Sequence, residues 1–265
     1  FKQKTAYEIT YGDWSSDVCS SDLCGLFLSL IPILALQVKA ANPAQFVWGK
    51  RLGGTGDDTG RSVALHPDGG AVMCGYVSGI AMNDGTVRQG DGSGPFGVVA
   101  KIDTAGRFQW TRTVSGTGVI DCKSVAVDTE GFITVAGDFS GQAVFGETDA
   151  GRALTSTLGT DIFLARYSAN GNLVWAERFG STGNDYGLAV AVDPAGTIFL
   201  TGSFEQSVDF GGVTLPGGAG TQLFVASYDS AGKLKWAQDI GGGESAAGLA
   251  IAVDSTGSSV VTGKF

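Results

Sequence analysis

Four tryptophans set the frame of this chain. Trp48, Trp110, Trp175 and Trp236 stand 62, 65 and 61 residues apart, and the residues around each are alike. The segments are FVWGKRLGGTGDDTG, FQWTRTVSGTGVIDC, LVWAERFGSTGNDYG and LKWAQDIGGGESAAG. A second block follows each: SVALHPDGGAVMCGYV, SVAVDTEGFITVAGDF, AVAVDPAGTIFLTGSF and AIAVDSTGSSVVTGKF. A third block closes three of the repeats, as GVVAKIDTAGRFQW, IFLARYSANGNLVW and LFVASYDSAGKLKW. A unit of this length does not bury its own apolar face, so it must stack on its neighbours.

Each unit reads as four short strands in two hairpins. In AVAVDPAGTIFLTG a β-rich run meets Asp193-Pro194-Ala195-Gly196 and a second run follows. Asp or Asn at the first turn position with Gly at the fourth is type I turn chemistry. The device recurs at Asp103–Gly106, Asp128–Gly131, Asp229–Gly232 and Asp254–Gly257. Alternation of apolar and polar residues is partial, as in strands covered on both faces. No long window carries helical periodicity with caps.

The expected fold is therefore all-β: a β-propeller fragment of about three and a half four-stranded blades, both ends truncated, because propellers close with about 4–8 blades. The blades fall near 46–110, 111–175, 176–236 and, partial, 237–265. The four tryptophans are expected to be structural, each opening an outermost strand and wedging between adjacent blades. The Gly-rich connection from Ser207 to Gln222 should form a loop or extra β-arch on one rim, where binding residues usually sit.

These blocks resemble the bacterial seven-bladed β-propeller repeat family (SBBP type), and also the related NHL-type repeats. Gly53-Gly54-Thr55-Gly56-Asp57-Asp58, Ala191-Val192-Asp193-Pro194-Ala195-Gly196 and Val261-Thr262-Gly263 carry the likeness. It covers the chain from about Phe46 to Phe265. The resemblance implies a secreted or surface propeller, usually without an assigned activity.

The first forty residues read differently. KQKTAYEI (residues 2–9) and DWSSDVCSSDL (13–23) both back-translate into strings resembling sequencing-adapter DNA, and the index between them closes in frame. Residues 1–23 are therefore expected to be an adapter-derived artefact, outside fold reasoning. Leu26 to Leu36, LFLSLIPILAL, is too short for a membrane span but suits a signal-peptide apolar region. Val38-Lys39-Ala40 then supplies a cleavage site after Ala40, making 24–40 a truncated signal peptide. The expected location is secreted, periplasmic or cell-surface, with no membrane span.

Candidate chemistry is sparse. A formal charge of -9 gives no electrostatic footprint for nucleic acid, and a single histidine, His66, leaves little for His-based chemistry. His66 takes the turn position held by Asp128, Asp193 and Asp254, which makes it a turn variant. Gly92 to Gly97 matches GxGxxG only formally, since a strand and not a helix follows.

Asp57, Asp58, Asn184 and Asp185 are the candidates for calcium. Val119 and Ile120 replace them in the second repeat, and Glu244 with Ser245 in the fourth, a drift that favours turn formation and backbone capping. Cys74 and Cys122 read as independent buried thiols, with an inter-blade disulfide as the alternative. Acidic residues sit mostly in turns, so no catalytic carboxylate pair can be argued, and no catalytic residue or cofactor is assigned.

The expected function is that of an exported bacterial scaffold for a protein or glycan ligand, without catalysis. The alternative is a propeller enzyme, quinone-dehydrogenase-like or a hydrolase or lyase, with active residues on rim loops or in missing blades. Asp103-x-x-Gly106-x-x-x-Trp110 lies one residue short of the dehydrogenase pattern.

Overall fold

Local chemistry divides the chain into hairpins before any packing is considered. In the computed structural model, every hairpin turn foreseen above forms: an Asp or its substitute opens it, and a glycine with positive φ closes it. Gly69, Gly131, Gly196 and Gly257 close the first hairpins, and Gly106, Gly171 and Gly232 the second. The opening carboxylate caps the turn, as where Asp128 Oδ1 accepts from the amides of Glu130 and Phe132 at 3.0 and 2.8 Å. The structure describes residues 48–53, 56–78, 80–83, 86–89, 95–146, 151–241 and 245–264, all within the unit Trp48–Phe265. Residues 1–23 and 24–40, expected to be adapter-derived and a truncated signal peptide, lie outside the described residues, as do Gly92, Glu244 and Phe265.

The first blade comprises β1 (Thr59–Leu65), β2 (Ala71–Val77), an inserted hairpin of β3 (Ile80–Asn83) and β4 (Thr86–Gln89), then β5 (Phe96–Ile102) and β6 (Phe108–Gly116). The second has β7 (Ile120–Val127), β8 (Ile133–Phe139), the insert β9 (Gln142–Phe145) and β10 (Arg152–Thr155), then β11 (Asp161–Tyr167) and β12 (Leu173–Phe179). The third has β13 (Tyr186–Val192), β14 (Ile198–Phe204), the insert β15 (Val208–Asp209) and β16 (Thr214–Leu215), then β17 (Gln222–Tyr228) and β18 (Leu234–Gly241). A fourth begins with β19 (Ala247–Val253) and β20 (Ser259–Lys264).

Each complete blade is an antiparallel meander, β1-β2-β5-β6, β7-β8-β11-β12 and β13-β14-β17-β18. This is the all-β architecture of a partial β-propeller. The expected extra arch is present as the three inserted hairpins. One of them departs from a loop on a rim: β9 pairs with β6, so β9–β10 extends the sheet of the preceding blade to six strands.

Blades pack face to face. All seven residues of β5, β8, β11, β14 and β17 are buried, which explains the missing alternation. One core lies between the first two blades around Val99, Phe139, Phe145 and Phe163, and another between the second and third around Leu164, Phe204, Phe210 and Phe224. Phe145 and Phe210 come from the inserts. They reach the same aromatic partner in each blade, 5.1 Å from Phe163 and 4.5 Å from Phe224 between ring centres. Burying one such ring contributes roughly 2–3 kcal/mol.

The innermost strands carry a bulge at the same place in every blade, between Gly60/Ser62, Cys122/Ser124, Gly187/Ala189 and Gly248/Ala250. Opposite it stands the glycine that ends each second strand: Gly75, Gly137, Gly202 and Gly263. A Cβ there would run into the carbonyl oxygens of Thr59, Asp121, Tyr186 and Ala247. The glycine of that ending is therefore required opposite the bulge. The bulge also frees Ser62 Oγ and Ser124 Oγ to accept from the next blade's inner strand, at Val125 N (3.3 Å) and Val190 N (3.1 Å).

Tryptophan joins blade to blade on the outer side. The indole N–H of Trp48, Trp110 and Trp175 donates to Thr104 O, Ala169 O and Ser230 O at 3.0, 3.0 and 3.1 Å. Each acceptor is the second residue of the following blade's outer turn. The ring lies over that turn's last residue, Gly106, Gly171 or Gly232, where a side chain would collide with it.

Candidate functional site

Charge concentrates where three innermost strands meet. Asp121 on β7 and Asp138 on β8 are direct cross-strand partners. Arg61 on β1 closes on the first with Nε 3.2 Å from Oδ1 and Nη2 2.8 Å from Oδ2. Lys123 Nζ lies 3.2 Å from Asp121 Oδ2 and 3.2 Å from Asp138 Oδ2. Tyr76 lies under Arg61 and Tyr186 under Lys123, at 5.3 and 5.8 Å. Burial pushes the Asp138 carboxyl up to about 7 against the opposing pull of Lys123. The group can therefore exchange a proton near neutrality, and its neighbours are cations and phenol rings that bridge blades.

Among the described residues most acidic side chains do sit in turns and loops, and this cluster is among the exceptions. Asp121, Asp138 and Asp161 all lie in strands. Asp161 is fully buried and pairs with Arg178. The signal was available only by aligning the repeats, where Tyr76, Ser203 and Lys264 occupy the position of Asp138.

The calcium candidates fall in two separate loops, Asp57 and Asp58 before β1 and Asn184 and Asp185 before β13. Asp185 is fully buried and both its oxygens are engaged. Oδ2 accepts from Ser181 N and Oγ at 2.7 and 3.2 Å, and Oδ1 from Glu205 N at 2.9 Å. Burial raises its carboxyl to about 6. Asp58 Oδ1 makes the matching contact to Ser78 N at 3.2 Å. Asn184 engages Glu205, and Asp57 is exposed.

The structure also shifts the fourth repeat by one residue. Ala246 N donates to Thr221 O as Asp185 N does to Thr160 O, so Ala246 and not Ser245 is the counterpart of Asp185. Among the described residues no three His, Cys, Asp or Glu side chains gather as a metal cluster.

His66 is buried in its turn, with Nδ1 2.8 Å from Asp68 Oδ1 and Nε2 3.3 Å from Gly131 O of the next blade. Lys101 beside Asp68 holds that carboxyl well below the usual range. Cys74 and Cys122 are free, buried thiols, and Cys74 Sγ donates to Cys122 O at 3.3 Å. Burial pushes both thiols up, which suppresses thiolate chemistry.

A crevice of about 520 Å³ runs between the β9–β10 insert and β12. Arg112, Phe145, Arg152, Val174, Trp175 and Glu177 line it, and Arg152 Nη2 is 3.3 Å from Glu177 Oε1 across its mouth. Sequence reasoning missed it because a β9–β10 insert docked on the neighbouring blade leaves no local pattern.

Stacked four-stranded blades, tryptophan junctions and inserted hairpins define a repeat protein of the β-propeller type. Two curated proteins are similar to part of the chain. An uncharacterized WD repeat-containing protein of Acanthamoeba polyphaga mimivirus is 24% identical over 184 residues, 61% of this chain and 13% of that protein. Regulatory protein FlaEY of Caulobacter vibrioides is 27% identical over 183 residues, 69% of this chain and 18% of its own length. The matched segment thus spans less than a fifth of either relative. No family model matches the chain.

Proposed function

We propose that the protein is an exported, non-catalytic scaffold that binds a protein segment in the crevice between β9–β10 and β12. The crevice carries this reading: Val174 and Trp175 offer it apolar surface, and Arg152 and Glu177 at its mouth add charge of both signs, a mixture that suits an amphipathic peptide. The three inserts differ in length and sequence whereas the turns at the opposite ends of their strands hold one pattern, and variable loops on a fixed frame are where recognition concentrates. The relatives, one named for WD repeats and one for regulation, support a binding role over a chemical one.

The test is a peptide array and a glycan array probed with the protein and with Val174→Asp. Val174 is exposed at the crevice, so the substitution charges the wall without touching the core. Peptide binding weakened at least tenfold by Val174→Asp supports the proposal. Retention of glycans alone, or peptide binding indifferent to the variant, overturns it. Export rests on the apolar run Leu26–Leu36 and the site after Ala40. Residues 24–40, given an initiator and fused to a reporter, should direct it out of a bacterial cytoplasm.

A further inference from the structure

The two banks of the crevice between β9–β10 and β12 are strand edges. On one bank it is lined by every residue from Leu173 to Glu177. Side chains of a strand alternate between its faces, so an unbroken run lines a space only along the strand's edge. None of the lining residues belongs to β11, which places the crevice on the opposite edge of β12. β12 ends its sheet there, and β10 ends the six-stranded sheet on the other bank. Among the described residues neither strand is paired on that side, although complete blades stand before and after them in the chain.

The counterpart of β12 in the preceding blade is β6, and its matching edge is filled. β9 adds to it antiparallel, with Phe145, Val144 and Ala143 opposite Val114, Ser115 and Gly116. An outermost strand of this fold thus accepts a further strand. A second feature sets β12 apart. Each of the three outermost strands has one bulged residue left out of the ladder: Gln109, Val174 and Lys235. Two of these are polar. Val174 is apolar, 51% exposed and lines the crevice, so the edge of β12 offers an apolar contact that the other two lack.

Charge narrows the choice of occupant. Arg112, Arg152 and Glu177 border the crevice, a net positive site on a chain of formal charge -9. Arg112 Nε is committed to Gly171 O at 2.7 Å, whereas Arg152 and Glu177 keep about half of their side chains exposed. We propose, building on the reading of this crevice as a peptide site, that its occupant is an extended acidic-apolar segment added to β12 as an antiparallel strand. The direction is that of β9 on β6. It sets the first half of the peptide at the Arg152 end and the second half against Val174 and Trp175. The acidic residue therefore leads and the apolar residues follow.

The probe is the synthetic peptide acetyl-Thr-Asp-Thr-Val-Thr-Val-Thr-amide, uncharged at both ends and as long as β12. It is titrated into the whole protein by calorimetry, with amide exchange followed in parallel. The expected result is saturable one-to-one binding that slows exchange of β12 amides. Only every second amide of an added strand faces its neighbour. Methylating the peptide nitrogens one at a time should therefore weaken binding about tenfold at alternate positions and leave it unchanged between them. Val174→Lys installs the residue that the third blade carries and should weaken binding about tenfold. Arg152→Glu should do the same, and a peptide with lysine in place of its aspartate should restore it. No saturable binding, a methylation profile without alternation, unprotected β12 amides or indifference to both substitutions overturns the proposal. Array peptides that respond to Val174→Asp but show no such alternation would leave the crevice as a peptide site and remove only the strand pairing. Failure of both tests removes the crevice reading as well.

Discussion

Asp121 and Asp138 face each other across the β7–β8 ladder, and Arg61 reaches over from the neighbouring blade to close on the first of them. Opposed like charges destabilise a sheet unless cations intervene, and here Arg61 and Lys123 do so. The balance is incomplete, for the Asp138 carboxyl is held up to about 7 against an ordinary 3.8. Between those values the folded protein keeps a proton that the unfolded chain has lost, so stability falls as pH rises through that window. Asp138→Asn removes this contribution. Asp185, raised to about 6, slopes the same way but is common to both proteins. Melting temperatures at about pH 5 and pH 8 should therefore fall further for the natural protein than for the variant. The variant should be the more stable of the two at the higher pH, and parallel curves would refute the assignment.

The tryptophan junction makes a sharper, paired prediction. Gly171 and Gly196 both have positive φ, 76° and 81°. A Cβ on Gly171 would lie 2.7 Å from Trp110 Cδ2, whereas on Gly196 its nearest neighbour would be Ser230 Cβ at 3.7 Å. Gly196→Ala should cost only the conformational strain, about 1 kcal/mol. Gly171→Ala must also displace the ring and should cost about 3 kcal/mol. Urea unfolding of the two variants measures the difference. Equal losses would mean that the Trp110 contact adds nothing.

Much of this architecture was legible because it is local or repeated. Turns such as Asp193–Gly196 carry their geometry in the residues themselves, and the spacing of Trp48, Trp110 and Trp175 announces the unit. The docking of β9 on β6 was not legible, since a pairing between blades leaves no period in either partner. Asp138 was hidden for a related reason: Lys123 reaches it from the neighbouring strand β7, and Arg61, which closes on its partner Asp121, comes from another blade. The glycine of Val-Thr-Gly was visible as a pattern, but its cause, the bulge across the ladder, is a property of the pair Gly137 and Asp121.

The inner staple offers a test by exchange. Ser124 Oγ accepts from Val190 N, and Ser62 Oγ from Val125 N, across successive blades. Ala189 stands at the same place in the third blade and offers Ile251 no hydroxyl. Ser124→Ala should cost about 1 kcal/mol and speed hydrogen exchange at the Val190 amide. Ala189→Ser should slow exchange at Ile251 and return a few tenths of a kcal/mol. Unchanged exchange at both amides would show that the bulge alone sets the spacing of the inner strands.

Asp185 decides between a metal loop and a loop closed by its own amides. Calcium needs carboxylate oxygens with free lone pairs directed at one point. Asp185 instead spends one oxygen on Ser181 N and Oγ and the other on Glu205 N, which ties the loop to the end of β14. Asp185→Ala leaves those buried donors without a partner and should cost about 2 kcal/mol. The melting temperature of the natural protein should be the same in a chelator and in millimolar calcium, and the loss in the variant should be equal in both. A calcium-dependent rise in the natural protein that Asp185→Ala abolishes would make the loop an ion site and its hydrogen bonds an apo arrangement.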